Sequence, residues 1–271
     1  MSWLRVIKGE APLIVSIPHA GTEIPAHLEA RFASPLVARL DTDWHVDELY
    51  DFAISMGATV ISTAISRSVI DVNRDPSGAS LYPGQVTTGL CPIETFDGRP
   101  LYRDGKQPEP DEIEERRGRY FAPYHAAIAE AAHRLKRDHE RVVVYDAHSI
   151  RSHVPRLFEG ELPVFNIGTN TGRSCDQELS AAAQAICAAS GLPTVANGRF
   201  KGGYITRSHG RPELGVHAIQ MELAMRAYLK EPAVVREDNW PPPYDLEFAG
   251  PVRATLRRVL NACITFAKEP G

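Results

Sequence analysis

The chain is 271 residues long, 43% hydrophobic and 24% charged, with a formal net charge of −4. A chain of this size can bury a substantial core and is expected to form a single α/β domain spanning residues 1–271. Its mild acidity gives no reason to expect nucleic acid or an anionic membrane as a partner, and no apolar stretch reaches the roughly 20 residues of a membrane span.

Taken in chain order, the first predicted strand is Leu13–Ile17, which runs into Pro18-His19-Ala20-Gly21. It is too short for the apolar segment of a signal peptide, so a cytoplasmic protein is expected. A helix is predicted over Thr42–Met56, capped by Asp41 or Thr42 and stopped by Gly57. Strands Thr59–Ala64 and Val69–Val72 follow, the second closing on Asn73-Arg74. Residues 75–110 are rich in Gly, Pro, Asp and Thr and lack periodicity; they read either as a lid over a site or as a plain surface insertion. A long helix, Glu112–His139, leads to strand Arg141–Asp146 and the cluster Tyr145-Asp146-Ala147-His148-Ser149. Beyond it lie strand Val164–Gly168, helix Ser174–Ser190, and strands Thr194–Ala196, Tyr204–Thr206 and His217–Glu222. A short helix Leu223–Leu229, an extended Trp240–Pro243 and a last helix Ala254–Phe266 complete the chain. This alternation of strands and helices indicates the α/β class.

An apolar run that ends in His or Asp delivers a polar side chain to the carboxyl edge of a sheet, where open α/β folds bind their ligands. His19 and His148 are both delivered this way, and together with a carboxylate they fit an oxygen/nitrogen metal site. Zinc is the expected metal, with one position left open for water, so the chain reads as a metallohydrolase. Asp146 lies two residues before His148 on the same side of its strand, where it either orients the imidazole or caps loop backbone. Asp41, Asp43, His45 and Asp47 crowd one helix start, and capping accounts for one or two of the acids. Asp43 is the preferred third ligand, His45 its rival, and Asp47 a support for either. Asn73-Arg74 reads as a substrate clamp, because a guanidinium fork fits carboxylates and polarised carbonyl oxygens. Lys201–Arg211 is a glycine-punctuated segment bearing Tyr204, Arg207, His209 and Arg211, suited equally to anion recognition and to a hairpin. Glu222 ends an apolar strand, which makes it a candidate general base; the alternative is a solvated strand-end carboxylate. The four cysteines, Cys91, Cys175, Cys187 and Cys263, have no C-x-x-C spacing. That argues against a disulfide framework and a thiolate zinc site, and Cys91 reads as an inert thiol more readily than as a nucleophile.

In order and spacing, these blocks resemble the N-formylglutamate amidohydrolase family from about Pro12 to Tyr228. The blocks are Ser16–Gly21, Asp41–Val46, Asp71–Arg74, Tyr145–Ser149, Gly202–Tyr204 with His209–Pro212, and His217–Glu222. The family in turn resembles zinc carboxypeptidase and aspartoacylase-like hydrolases. That implies a three-layer α/β/α fold with a mixed central sheet and one zinc held by two His and a carboxylate. The resemblance makes His19 the first ligand and His148 the last, gives Asn73-Arg74 a place beside the substrate, and makes Glu222 the catalytic glutamate. The chain departs from the wider pattern three residues after the first His, where Thr22 stands in place of the carboxylate. Glu23 is the next residue, and Asp43 remains the preferred ligand. The implied reaction is hydrolysis of N-formyl-L-glutamate to L-glutamate and formate, the last step of one histidine-degradation route. Arg74 or the metal would stabilise the oxyanion, and Arg207 or Arg211 would hold substrate carboxylates. Two other readings stay open: a zinc amidohydrolase for another N-acyl amino acid, and a non-catalytic binding protein on a hydrolase fold.

Overall fold

The structure, a computed structural model, describes residues 3–80, 84 and 86–269. Its strands are β1 (Leu4–Ile7), β2 (Leu13–Ile17), β3 (Thr59–Thr63), β4 (Val142–Ile150), β5 (Phe165–Gly168), β6 (Thr194–Ala196) and β7 (Val216–Ala224). The helices are α1 (Ala26–Glu29), α2 (Val46–Leu49), α3 (Phe52–Ser55), α4 (Pro110–Arg116), α5 (Ala122–Leu135), α6 (Gln177–Ala188), α7 (Tyr204–His209) and α8 (Leu246–Lys268). The strands form one mixed sheet in the order β1-β3-β2-β4-β7-β5-β6. β3, β2, β4 and β7 are parallel, whereas β1 and β5 run antiparallel to their neighbours β3 and β7.

The central strands are buried on both faces, as near-continuous Val/Ile/Leu runs require. Alternate residues divide between two cores. Val15, Val143, Tyr145, Ile219 and Leu223 pack with residues of α6 and α8 on one side. Ile14, Ile61, Val142, Val144 and Ala218 pack with α5 on the other. This is a three-layer α/β/α arrangement. From β2 the chain moves outward to β3, and it returns through α5 to β4 on the other side. The carboxyl ends of β2 and β4 therefore flank the point where the winding reverses, the place such sheets bind ligands.

Several local expectations are corrected. Val69–Val72 forms no strand; its apolar side chains are buried, but the chain turns there, with Val69 N–H bonded to Ser66 O and Asp71 N–H to Leu90 O. The predicted helix Thr42–Met56 begins only at Val46, because His45 takes a left-handed conformation (φ 61°) and Asp43 turns into the protein instead of capping, and it is interrupted at Tyr50–Asp51 between α2 and α3. The long helix is continuous from Pro110 to Leu135 but passes through a π-helical stretch at Arg117–Phe121. Pro123 offers no N–H for a regular bond there, and a π-turn accommodates the gap. Tyr204–Thr206 belongs to α7, not to a strand. Leu223 and Ala224 extend β7 because β4 continues opposite them, and only a 3-10 turn, Met225–Ala227, follows. β1 and the first two turns of α8 carry signals too weak or too polar to read from the sequence.

Candidate active site

β2 ends in Ile17 and delivers His19; Gly21 then passes so close to β3 that a Cβ there would lie 2.5 Å from Thr63 O. The next turn is tied back by Asp43 N–H to His19 O (3.0 Å), which brings Asp43 under the same edge. On β4, Asp146 and His148 share a face, and the register sets His148 opposite Glu222 and Asp146 opposite Gln220 on β7. Three adjacent strands thus place four titratable groups at one carboxyl edge.

One nitrogen or oxygen atom from each of His19, Asp43 and His148 lies within 4.8 Å of the others, and all three residues are buried. Asp43 Oδ2 is 3.1 Å from His148 Nδ1 and 3.7 Å from His19 Nδ1. His19 Nε2 is held by Asp71 Oδ1 at 2.7 Å, so Nδ1 faces the centre, where it has no hydrogen-bond partner. Arg67 braces the group, with Nη1 3.2 Å from Asp43 Oδ1 and Nη2 2.7 Å from Asp71 Oδ2. Burial works against the Asp43 carboxylate, but the His148 and His19 imidazoles and Arg67 hold it well below the usual carboxylate range. Asp71 is likewise held low against burial by His19, Arg74 and Arg67. Burial disfavours a charged His148, yet Asp146, Asp43 and Glu222 raise its pKa well above the usual value.

The donor set fits a divalent cation. Two imidazoles and a carboxylate converge, a carboxylate supports the far nitrogen of His19, and a buried nitrogen is left without a partner. Asp43, Asp71 and Asp146 outnumber the two nearby guanidinium groups, Arg67 and Arg74, so positive charge at the centre is electrostatically favoured.

In front of this cluster, at the carboxyl edge of the sheet, opens a cavity. Glu222 lines it. Burial pushes its carboxyl up to about 8 despite the opposing charge of His148, and Gln220 Nε2 donates to its Oε2 (3.1 Å). Four arginines, Arg67, Arg74, Arg156 and Arg199, face the same space, as do Val86, Thr87, Thr88, Thr95 and Phe96 from segment 75–110. Residues 81–83 and 85 of that segment lie outside the described residues.

Other predicted site residues are placed elsewhere. His45 bonds Glu48 and the Pro242 carbonyl and stacks on Tyr244. Asp47 is exposed in a separate groove with Arg5 and Leu246, and Glu23 is exposed at an isolated bridge to Ile65. Tyr204 packs on Phe121 and His125. Arg207 and Arg211 donate to the backbone carbonyls of Gly202 and of Arg207 and Gly210. None of the three lines the cavity. Arg67, Arg156, Arg199 and the supporting role of Asp71 were missed in the sequence. Arg67 and Asp71 carried a usable signal, since charges inside the run Ile65–Val72 must find buried partners.

His209 is a strut. Its Nε2 is 2.9 Å from His125 Nδ1, with the rings parallel, and His125 Nε2–H donates to Val72 O at 2.8 Å. With His125 neutral, that bond makes its Nδ1 the acceptor and His209 Nε2 the donor, an arrangement that protonation of His125 would break. Burial lowers His125 to about 4 and His209 to about 3. The unfolded chain therefore takes up protons on this pair first. The pair costs stability as pH falls below about 6.5, and the loss levels off below the folded values. Urea unfolding is expected to lose up to a few kcal/mol between roughly pH 6.5 and 4 through this pair. A His209→Gln variant should show a flatter profile; equal slopes would remove the pair from the account.

An arginine-lined cavity selects an anion, and a buried carboxyl resting near neutrality can take and return one proton. Together they suit a hydrolase for small anionic substrates. The model of the N-formylglutamate amidohydrolase family matches residues 11–229. The chain is 45% identical to the N-formylglutamate deformylase of Pseudomonas aeruginosa over 97% of this chain and 96% of that protein. Its identity to the N-formylglutamate deformylase of Pseudomonas putida is 40%, over 97% and 96%. In fold it resembles the crystal structure of N-formylglutamate amidohydrolase from Ralstonia eutropha JMP134 (TM-score 0.79, 24% identity, 98% of each chain). A gene product from Agrobacterium tumefaciens is also similar (TM-score 0.70, 18% identity, 99% and 97%). The chain belongs to the N-formylglutamate amidohydrolase family and is a hydrolase of linear amide C–N bonds.

Proposed function

We propose that the protein hydrolyses N-formyl-L-glutamate to L-glutamate and formate with the help of one divalent metal ion, zinc above others. The observation that carries the metal is the convergence of His19, Asp43 and His148 around the unpartnered Nδ1 of His19. The names of the Pseudomonas relatives support the substrate. Bound by those three residues, the ion would supply Lewis acidity towards the formyl oxygen and towards water.

The chain's own groups do the rest. Glu222 takes a proton from the attacking water as the new C–O bond forms at the formyl carbon. It returns that proton to the nitrogen of glutamate as the C–N bond breaks. Arg74, held beside Asp71 and Thr88, faces the developing oxyanion. Arg156 and Arg199, in place of the expected Arg207 and Arg211, hold the two substrate carboxylates together with Arg74. A formyl group needs almost no room on the acyl side, so selectivity rests on the amino-acid half.

Segment 75–110 acts as a lid in this reading, supported by the five residues it contributes to the cavity wall. Substrate should slow its limited proteolysis, and an unchanged digestion rate would count against a lid. The setting, the last step of one histidine-degradation route in the cytoplasm, belongs to the same proposal. Four buried free cysteines suit a reducing compartment, and no helix among the described residues is long and apolar enough to cross a membrane. The substrate is tested by comparing N-formyl-, N-acetyl- and N-succinyl-L-glutamate at equal enzyme concentration. Formyl should be preferred by at least about tenfold in kcat/KM, the scale of a well-shaped pocket. Equal or faster turnover of the larger acyl groups would replace the deformylase reading with another N-acyl amino acid hydrolase.

A further inference from the structure

The segment Lys201–Arg211 contributes no side-chain donor to the cavity through Tyr204, Arg207, His209 or Arg211, yet its backbone reaches the catalytic edge. Three successive N–H groups point there. Gly203 N–H donates to Gln220 Oε1 (2.7 Å), Tyr204 N–H to the Asn73 backbone carbonyl (3.3 Å), and Ile205 N–H to Asn73 Oδ1 (2.8 Å). The oxygen end of each carboxamide is thereby committed, and its NH2 end is turned to the opposite side. For Asn73 that side holds Asp146 Oδ2 at 3.1 Å and His148 Nε2 at 2.8 Å. For Gln220 it holds Glu222 Oε2 at 3.1 Å. The approach is close, since a Cβ on Gly203 would collide with the Asn73 carboxamide. Asn73, expected as a substrate group, already has its Oδ1 and Nδ2 engaged by protein atoms.

We propose that Asn73 and Gln220 are positioning residues, locked by the backbone N–H groups of 203–205. Asn73 Nδ2 holds the Asp146 carboxylate, which accepts the His148 Nε2–H (3.0 Å) and so leaves Nδ1 facing Asp43, and Gln220 aims the Glu222 carboxyl into the cavity. The proposal rests on His148 holding the metal and Glu222 carrying the proton. Groups that orient a ligating imidazole commonly change metal affinity or activity by about 10–100-fold when removed.

The test measures Zn2+ affinity by competition with a chromogenic chelator, alongside kcat and KM for formate release. Asn73→Ala should weaken Zn2+ binding by about 10–100-fold, with KM of the zinc-saturated protein within about threefold of wild type. Gly203→Ala, which displaces the Asn73 carboxamide without altering its chemistry, should weaken Zn2+ binding in the same direction and keeps the test open if Asn73→Ala does not fold. Gln220→Met should lower kcat by roughly tenfold or more while Zn2+ affinity and KM stay near wild type. A large rise in KM with unchanged Zn2+ affinity in Asn73→Ala would make Asn73 a substrate group and overturn its role. Unchanged kcat in Gln220→Met would overturn the role of Gln220. A wild-type protein that binds no Zn2+ would instead bring down the metal reading and this inference with it, a result separable from either variant's failure.

Discussion

Glu222→Gln should leave the protein folded and lower kcat on N-formyl-L-glutamate by about 10³-fold, within the span general acid–base groups contribute, with KM changed less than about threefold. The substitution keeps the shape of the side chain and removes only its ability to carry a proton. Glu222 sits on a strand whose register places it directly beside His148, and it is 7% exposed. Burial raises its carboxyl to about 8, so the group is poised to exchange a proton near neutral pH, which a solvated strand-end carboxylate would not be. Steady-state kinetics of the variant, with circular dichroism as the control for folding, decide the point. A kcat within about threefold of wild type would move the proton-transfer role away from Glu222.

His19→Ala should strip the metal. The imidazole is held in place on one side only, by Asp71, and its other nitrogen points to the centre of the cluster without a partner. Removing it takes away one of three ligands. If the three share equally the roughly 10–16 kcal/mol of a tight zinc site, the loss is about 3–5 kcal/mol, or on the order of 10³-fold in affinity. The fold should tolerate the change, because Asp71 keeps its bonds to Arg67 and to the Asn73 N–H. Metal analysis after gel filtration should therefore find far less zinc in the variant than in wild type, and activity should fall in parallel. Equal zinc in both proteins would exclude His19 as a ligand.

The backbone of this site was legible in the sequence where apolar runs end in polar residues. Leu13–Ile17 and Arg141–Asp146 read as strands, and His19 follows the end of the first as the pattern requires; the second runs on to Ile150, so Asp146 and His148 lie within it. In the strand His217–Glu222, period-two alternation sets Gln220 and Glu222 on one face, and the two are hydrogen-bonded there. Asp43 was harder, because a carboxylate at a helix start is explained equally well by capping; only the fold shows its backbone tied to His19.

What escaped was determined by tertiary contact. Val69–Val72 has β-branched composition, but its burial is met by a turn across the core rather than by pairing. Tyr204–Thr206 looks extended by composition, yet Gly202, at a φ of 108°, redirects the chain and the Asn73 carboxamide takes the Ile205 N–H. Three of the four cavity arginines, Arg67, Arg156 and Arg199, come from separate loops with no periodicity to bring them together. Arg207 and Arg211, which lie in a conspicuous motif, bond to the backbone instead.

The most direct test of the central claim is the zinc content of the purified protein, measured together with formate release from N-formyl-L-glutamate before and after chelation. The account predicts about one zinc per chain, loss of activity when it is removed and recovery when it is returned. Full activity in protein shown to be free of metal would contradict the reading of His19, Asp43 and His148.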